Sequence, residues 1–110
     1  MKEGNIQQLI RLEAHKYDLV LLRNNVGSLE DKTGRWVQFG LCKGSSDLIG
    51  WHKTTGKFVA IEVKRPGQKL RPDQKDFIDR VKEAGGIAGV ARCPDDLAEI
   101  LTDCSINATL

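Results

Sequence analysis

The sequence predicts an α/β fold with the element order α-β-β-β-β-α-β-α, and three observations lead to it. Apolar residues recur at helical spacing in three stretches and in β-like runs in five others. Gly56, Pro66-Gly67 and Gly85-Gly86 fall at the borders of those stretches. The 110 residues, 40% hydrophobic and 29% charged, suit one domain spanning 1–110, and a chain of that size removes roughly 65% of its unfolded surface from water.

From Glu3 to about Lys16, Ile6, Leu9, Ile10 and Ala14 form one inward stripe and predict the first helix. Glu3 lies three residues before Ile6 and seven before Ile10, so a helix that reaches it puts its carboxylate on the buried side. Leu19–Asn24 reads as a strand, followed by a Gly-containing connection and a second β segment at Arg35–Phe39. Gly40–Ser46 is loop-like. Asp47–Trp51 and Lys57–Lys64 have strand character, with Lys53-Thr54-Thr55-Gly56 as hairpin chemistry between them. A helix starts at Pro72, a residue suited to the first helical turn, and stops at Gly85-Gly86. Ile87–Ala91 makes a short strand and Pro94–Leu101 a last helix.

Composition excludes several classes. No apolar run approaches the ~20 residues a bilayer crossing needs, so no membrane role is expected. The start, Met1-Lys2-Glu3-Gly4-Asn5, lacks the apolar stretch of a secretory signal, and an intracellular location is expected, in a bacterium or a phage-infected host cell. Cys42, Cys93 and Cys104 are odd in number without a C-x-x-C pair, and read as reduced, mostly buried residues. With only His15 and His52, a histidine-rich metal site or a Ser-His-Asp triad is poorly supplied.

The informative residues lie on the two central strands. Alternation puts Glu62 and Lys64 on one face with Phe58 and Ala60, and Val59, Ile61 and Val63 on the other. One face thus begins apolar and ends charged, the pattern of a strand opening onto a site at the core's edge. Glu62 and Lys64 have Cα atoms about 6.6 Å apart, so both tips can reach one phosphate. Asp47 comes beside Glu62 if the hairpin pairs in the ordinary way. Two adjacent carboxylates repel unless a cation or proton intervenes, and oxygen ligands without Cys or His suit Mg²⁺ or Mn²⁺. Such an ion polarises a phosphate oxygen and activates water while a lysine stabilises the developing charge, which is the chemistry of phosphodiester hydrolysis. Gln74, Phe77, Ile78 and Val81 fall at i, i+3, i+4 and i+7, so Gln74 sits on the apolar face of its helix and can point back at the site.

Asp47, Glu62-Val-Lys64 and Gln74, with Glu3 in the first helix, resemble the PD-(D/E)xK nuclease superfamily, and more closely its VRR-NUC (virus-type replication-repair nuclease) family. The resemblance extends through Ile6-Gln-Gln, Arg23-Asn-Asn-Val-Gly27, Gly40-Leu-Cys-Lys-Gly-Ser-Ser-Asp-Leu-Ile-Gly50, Phe58–Lys64, Gln74 and Ala84-Gly-Gly86. It implies a restriction-endonuclease-like core, with a central mixed β-sheet flanked by helices. It further implies that Asp47 and Glu62 bind the divalent metal with the Val63 carbonyl, that Lys64 is the catalytic lysine, and that Glu3 and Gln74 match the family's first-helix glutamate and its glutamine after the catalytic motif. Ser46 stands where the superfamily nominally has proline, at a position that varies widely.

Each residue also has a plainer reading. E-x-K alone is common on solvated strands. Asp47 could shape a turn, Glu3 could favour a helix N-terminus electrostatically, and Gln74 could belong to a cap. Trp36 and Trp51 are more often packing residues, though an exposed Trp36 could wedge into a branched substrate. His52, opposite Asp47 by alternation, reads as surface. The formal charge of +2 hides an uneven distribution. Lys43, Lys53, Lys57, Lys64, Arg65, Lys69 and Arg71 face only Asp47 and Glu62 in the same stretch, while Asp95–Asp103 holds four acids and no base. Lys43, Arg65, Lys69 and Arg71 are therefore the expected nucleic-acid contacts, with Ser45 in the loop among them, and the resemblance implies for Asn24 either contact with the DNA backbone or support of the metal site. The expectation is a Mg²⁺- or Mn²⁺-dependent DNA endonuclease leaving a 5′-phosphate and a 3′-hydroxyl. The resemblance implies selectivity for branched DNA such as four-way (Holliday) junctions, and a homodimer. The rivals are a non-catalytic nucleic-acid-binding module and a nuclease subunit active only in a larger restriction or recombination complex.

Overall fold

The computed structural model of the protein describes residues 2–105, so the expected domain of 1–110 runs past the described residues at both ends. Helix α1 spans Glu3–Glu13 and passes into a 3-10 turn at Ala14–Tyr17. Strands β1 (Leu19–Arg23), β2 (Gly27–Glu30), β3 (Trp36–Phe39), β4 (Leu48–His52) and β5 (Phe58–Val63) follow, then α2 (Pro72–Glu83), β6 (Ile87–Ala91) and α3 (Asp96–Ser105). No helix among the described residues is long and apolar enough to cross a membrane.

The central sheet has the order β1-β4-β5-β6. β4 pairs antiparallel with β1 and β5, whereas β5 and β6 run parallel. A parallel neighbour cannot be reached by a tight turn, and α2 supplies the crossover. The β4–β5 turn closes through the Gly56 N–H on the His52 carbonyl at 2.7 Å, as the Lys-Thr-Thr-Gly sequence foreshadows.

Alternation divides the sheet into two packed faces. Val59, Ile61 and Val63 of β5 join Leu48, Ile87 and Ala91 beneath α1 and α3, with Ile6, Ile10, Leu97 and Ile100 as the helix contributions. Ala60 and Ala88 face α2, where Ile78 is buried among Ile49, Phe77 and Val81. Burying one such aliphatic side chain stabilises the fold by about 1.5–3 kcal/mol, so each helix is held by a few large contacts.

The fold agrees with the expected α/β class and differs in detail. The segment expected as a connection contains β2, which has little strand character alone and exists by pairing with β3, Leu29 opposite Val37 and Gly27 opposite Phe39. This pair forms a separate two-stranded sheet. Leu9, expected inward, is 40% exposed, because α1 meets the sheet along the narrow row Ile6, Ile10 and Ala14. The last helix starts two residues later than expected, after the Leu97 N–H closes a turn on the Pro94 carbonyl, and it continues past Leu101 because Leu101 and Cys104 still pack on the core. Cys42 and Cys93 are exposed and Cys104 is half-buried, so, contrary to expectation, the thiols are not mostly buried.

Candidate active site

The site forms where β4 begins and β5 ends. Leu48 pairs with Ile61, which brings Asp47, one residue earlier, beside Glu62. Asp47 and Glu62 both project toward the α2 side, since their neighbours Leu48, Ile61 and Val63 are committed to the opposite core. The Val63 N–H donates to Asp47 Oδ2 at 2.8 Å. Val63 itself is fully buried by its side chain, so only its backbone faces the site.

Glu62 is 2% exposed. Its Oε2 accepts a hydrogen bond from Gln74 Nε2 at 3.0 Å, and Lys64 Nζ stands 3.9 Å from the same oxygen. Its Oε1 is buried and has no hydrogen-bond partner. Burial first, and the charge of Asp47 second, push the Glu62 carboxyl up to about 8, against a smaller opposing pull from Lys64. A buried carboxylate with an idle oxygen is costly unless something positive occupies it.

Gln74 has both of the roles that its position allowed. It is the third residue of α2, and its Oε1 accepts the Arg71 N–H at 3.0 Å while its amide reaches Glu62. One side chain therefore ties the start of the helix to the acid. Gly44, at φ +88°, lies against this helix end; a Cβ there would come within 2.8 Å of the Asp73 carbonyl oxygen.

The loop before Asp47 is held by Asn24. Its Nδ2 donates to Ser45 Oγ at 2.8 Å and to the Ser46 carbonyl at 2.9 Å, and its Oδ1 accepts the Leu41 N–H at 3.1 Å. Its own backbone N–H donates to the Asp47 carbonyl at 2.8 Å. Ser45 is buried and donates to the Cys42 carbonyl at 2.6 Å. Both residues also line the cleft beside Asp47, with their side-chain polar groups engaged in these bonds. Lys43 and Arg71 are exposed and line one cleft of about 380 Å³ with Asp47 and Gln74. Arg71 is paired with Asp73 at 3.1 Å, and its guanidinium also feels the charges of Glu62 and Asp47. Arg65 and Lys69 are exposed on the loop between β5 and α2 and do not line that cleft.

Glu3 is half-buried at the start of α1, on the layer opposite α2, and among the described residues it makes no hydrogen bond or ion pair to Asp47, Glu62, Lys64 or Gln74. His52 pairs with Thr55 Oγ1 at the far end of β4. A larger hollow of about 510 Å³ at the other end of β5, between Phe58, Phe77 and Val81, has no convergent acids.

Two features beside the site are not apparent from the sequence. Ser46 Oγ is fully buried beside Asp47 without a partner. Arg92 Nη1 donates to the Arg65 carbonyl at 2.7 Å and steadies the loop leaving Lys64. Neither carried a local signal: a serine before an aspartate reads as turn chemistry, and Arg92 is 27 residues from its partner.

The donor set is hard and sparse. No group of three His, Cys, Asp or Glu residues converges among the described residues. Two carboxylates with a backbone carbonyl fit Mg²⁺ or Mn²⁺, which keep several waters, better than zinc.

The family model of the VRR-NUC domain matches residues 1–94. A solved structure described as a VRR_NUC domain protein superposes with a TM-score of 0.59 at 20% identity, over 96% of this chain and 88% of that one, a likeness of fold. No curated protein matches.

Proposed function

Since the chain belongs to the VRR-NUC domain family, a nuclease family, we propose that it is a Mg²⁺- or Mn²⁺-dependent endonuclease that hydrolyses phosphodiester bonds in DNA, with a preference for branched forms such as four-way junctions. The observation that carries the reading is the buried Glu62 with an unpartnered Oε1 beside Asp47 and Lys64. A non-catalytic binder gains nothing from such a group and bears its desolvation cost.

Asp47 and Glu62, with the Val63 carbonyl, would hold the ion. When bound, it supplies positive charge to a phosphate oxygen and lowers the pKa of water. The chain's own groups supply the rest. Gln74 fixes one Glu62 oxygen and leaves the other without a partner. Lys64, 12% exposed, holds its ammonium where it can meet the charge that develops on the phosphate. The Val63 N–H orients Asp47, and Asn24 fixes the loop that delivers it. Lys43 and Arg71 attract the backbone into the cleft. A second copy related by a two-fold axis would present two such sites, as symmetric cutting of a junction requires.

The test is a cleavage panel on junction, flap and linear DNA in Mg²⁺, Mn²⁺ and EDTA. Cutting only with metal, fastest on branched DNA, is expected. Equal rates on all three substrates would remove the branched preference, and cutting in EDTA would remove the metal.

A further inference from the structure

The β2–β3 hairpin forms one wall of the cleft that contains Asp47, through Gly27, Ser28, Gln38 and Phe39. It packs mainly on itself, and from Ser28 to Lys43 every residue except Asp31 is exposed. Its register sorts the side chains by chemistry. Gly27, Leu29, Val37 and Phe39 share one face, and Phe39 lies over Gly27, where a Cβ would come within 2.7 Å of the ring. The other face carries Trp36 opposite Glu30 and Gln38 opposite Ser28. Trp36 is 69% exposed, the most exposed of the large apolar side chains among the described residues.

A lone tryptophan among a carboxylate, an amide and a hydroxyl does not fit a protein-protein core, which wants apolar neighbours. It does fit a nucleobase. The indole offers a stacking surface, while Glu30, Gln38 and Ser28 offer acceptors and donors for base edges. The base faces and Watson-Crick edges are free only where bases are unpaired. Glu30 repels phosphate, which turns this strip away from a duplex backbone. Lys32 and Arg35 flank it at the hairpin tip, and Lys43 lies beyond its base, so positive charge stands at both ends of the strip.

From this arrangement we infer that the polar face of the β2–β3 hairpin binds unpaired bases beside the cleavage cleft, with Trp36 stacking on them. This rests on the nuclease reading and deepens it: the core carries the chemistry, and the hairpin reads the unpaired bases that forked and flapped DNA exposes.

The experiment measures binding in EDTA, so cleavage plays no part. In a Trp51→Phe background Trp36 is the sole tryptophan of the chain. Its fluorescence is expected to be quenched by a forked duplex with unpaired arms and not by a fully paired duplex of equal length. Trp36→Ala is expected to weaken forked-DNA binding about ten-fold or more and paired-duplex binding by no more than two-fold, with Trp36→Tyr restoring most of the difference. Binding of forked DNA without quenching, or equal quenching by both probes, overturns the assignment while leaving the nuclease reading intact. Absence of binding to any DNA overturns both. Loss of self-association in Trp36→Ala, read by sedimentation, would instead make the strip an interface between copies and also overturn it. The quenching measurement retains Trp36, so it decides the question even if substitution there disturbs the hairpin.

Discussion

The two sheets of this protein are built on opposite terms. The four-stranded sheet is covered on both faces, and its central strand β5 is buried from Val59 to Val63. The two-stranded sheet is covered on neither, and β3 is exposed along its whole length. The acids sit in the first, where desolvation is severe and positions are fixed by a dense core; the tryptophan and base-edge groups sit in the second, where side chains can vary at little cost to folding. Chemistry that needs a perturbed carboxyl requires burial. Recognition of a flexible polymer requires access.

The largest expected effect breaks function and spares the fold. Glu62→Ala or Lys64→Ala should lower the metal-dependent cleavage rate by about 10²–10³-fold or more. Circular dichroism should stay native. Full activity in either variant would remove the proposed mechanism. Glu3→Ala should lower the rate far less than either, because Glu3 stands on the other layer without a bond to the acids. A loss equal to that of Glu62→Ala would show that Glu3 reaches the site when DNA is bound.

Core truncation sharpens the contrast in stability. Ile61 is fully buried between β4 and the helical layer, so Ile61→Ala should cost about 2–5 kcal/mol in urea unfolding. A loss under 1 kcal/mol would mean the sheet is looser than its packing indicates.

The pH dependence of the metal-free protein follows from Glu62. Its carboxyl ionises near 4.5 in the unfolded chain and at about 8 in the fold. Between those values the folded state holds a proton that the unfolded state has released. Stability from this group is therefore complete below about 4.5 and is lost as pH rises toward 8, by an amount on the order of a few kcal/mol. Thermal melts in EDTA should show a falling midpoint from pH 5 to 8.5, and Mn²⁺ should offset the fall because a cation replaces the proton. Glu62→Gln should flatten the profile. A flat profile in the unaltered protein would contradict the burial of this acid.

The site was legible in the sequence wherever strand alternation carries it. Placing Glu62 and Lys64 on one face of β5 needs only a period of two, and the Asp47–Glu62 neighbourhood needs only a short hairpin. Gln74 was legible because a polar residue on an apolar helical face is an anomaly. Asn24 was legible only through the resemblance: its three side-chain bonds go to Leu41, Ser45 and Ser46, at least 17 residues away, and no local pattern announces them. β2 was illegible because a Gly-Ser-Leu-Glu strand gets its conformation from its partner. Asn24→Ala is the corresponding test. It should cost about 1–2 kcal/mol of stability and roughly ten-fold in rate, since Asp47 then rides on a loosened loop. An unchanged rate would separate the loop from the chemistry.

The smallest expected effect lies in the hairpin's apolar face. Val37 is 45% exposed and touches mainly its cross-strand partner Leu29, so Val37→Thr keeps a β-branched side chain and removes little buried surface. Its unfolding free energy should stay within about 0.5 kcal/mol of the unaltered chain at low protein concentration. The same measurement repeated over a range of concentrations checks whether the two sheets really differ in cover. If Val37→Thr destabilises the protein by 2 kcal/mol or more, and more strongly as concentration rises, a second copy covers this face in solution. The contrast between a covered sheet and a bare one would then hold for the single chain and fail for the assembly.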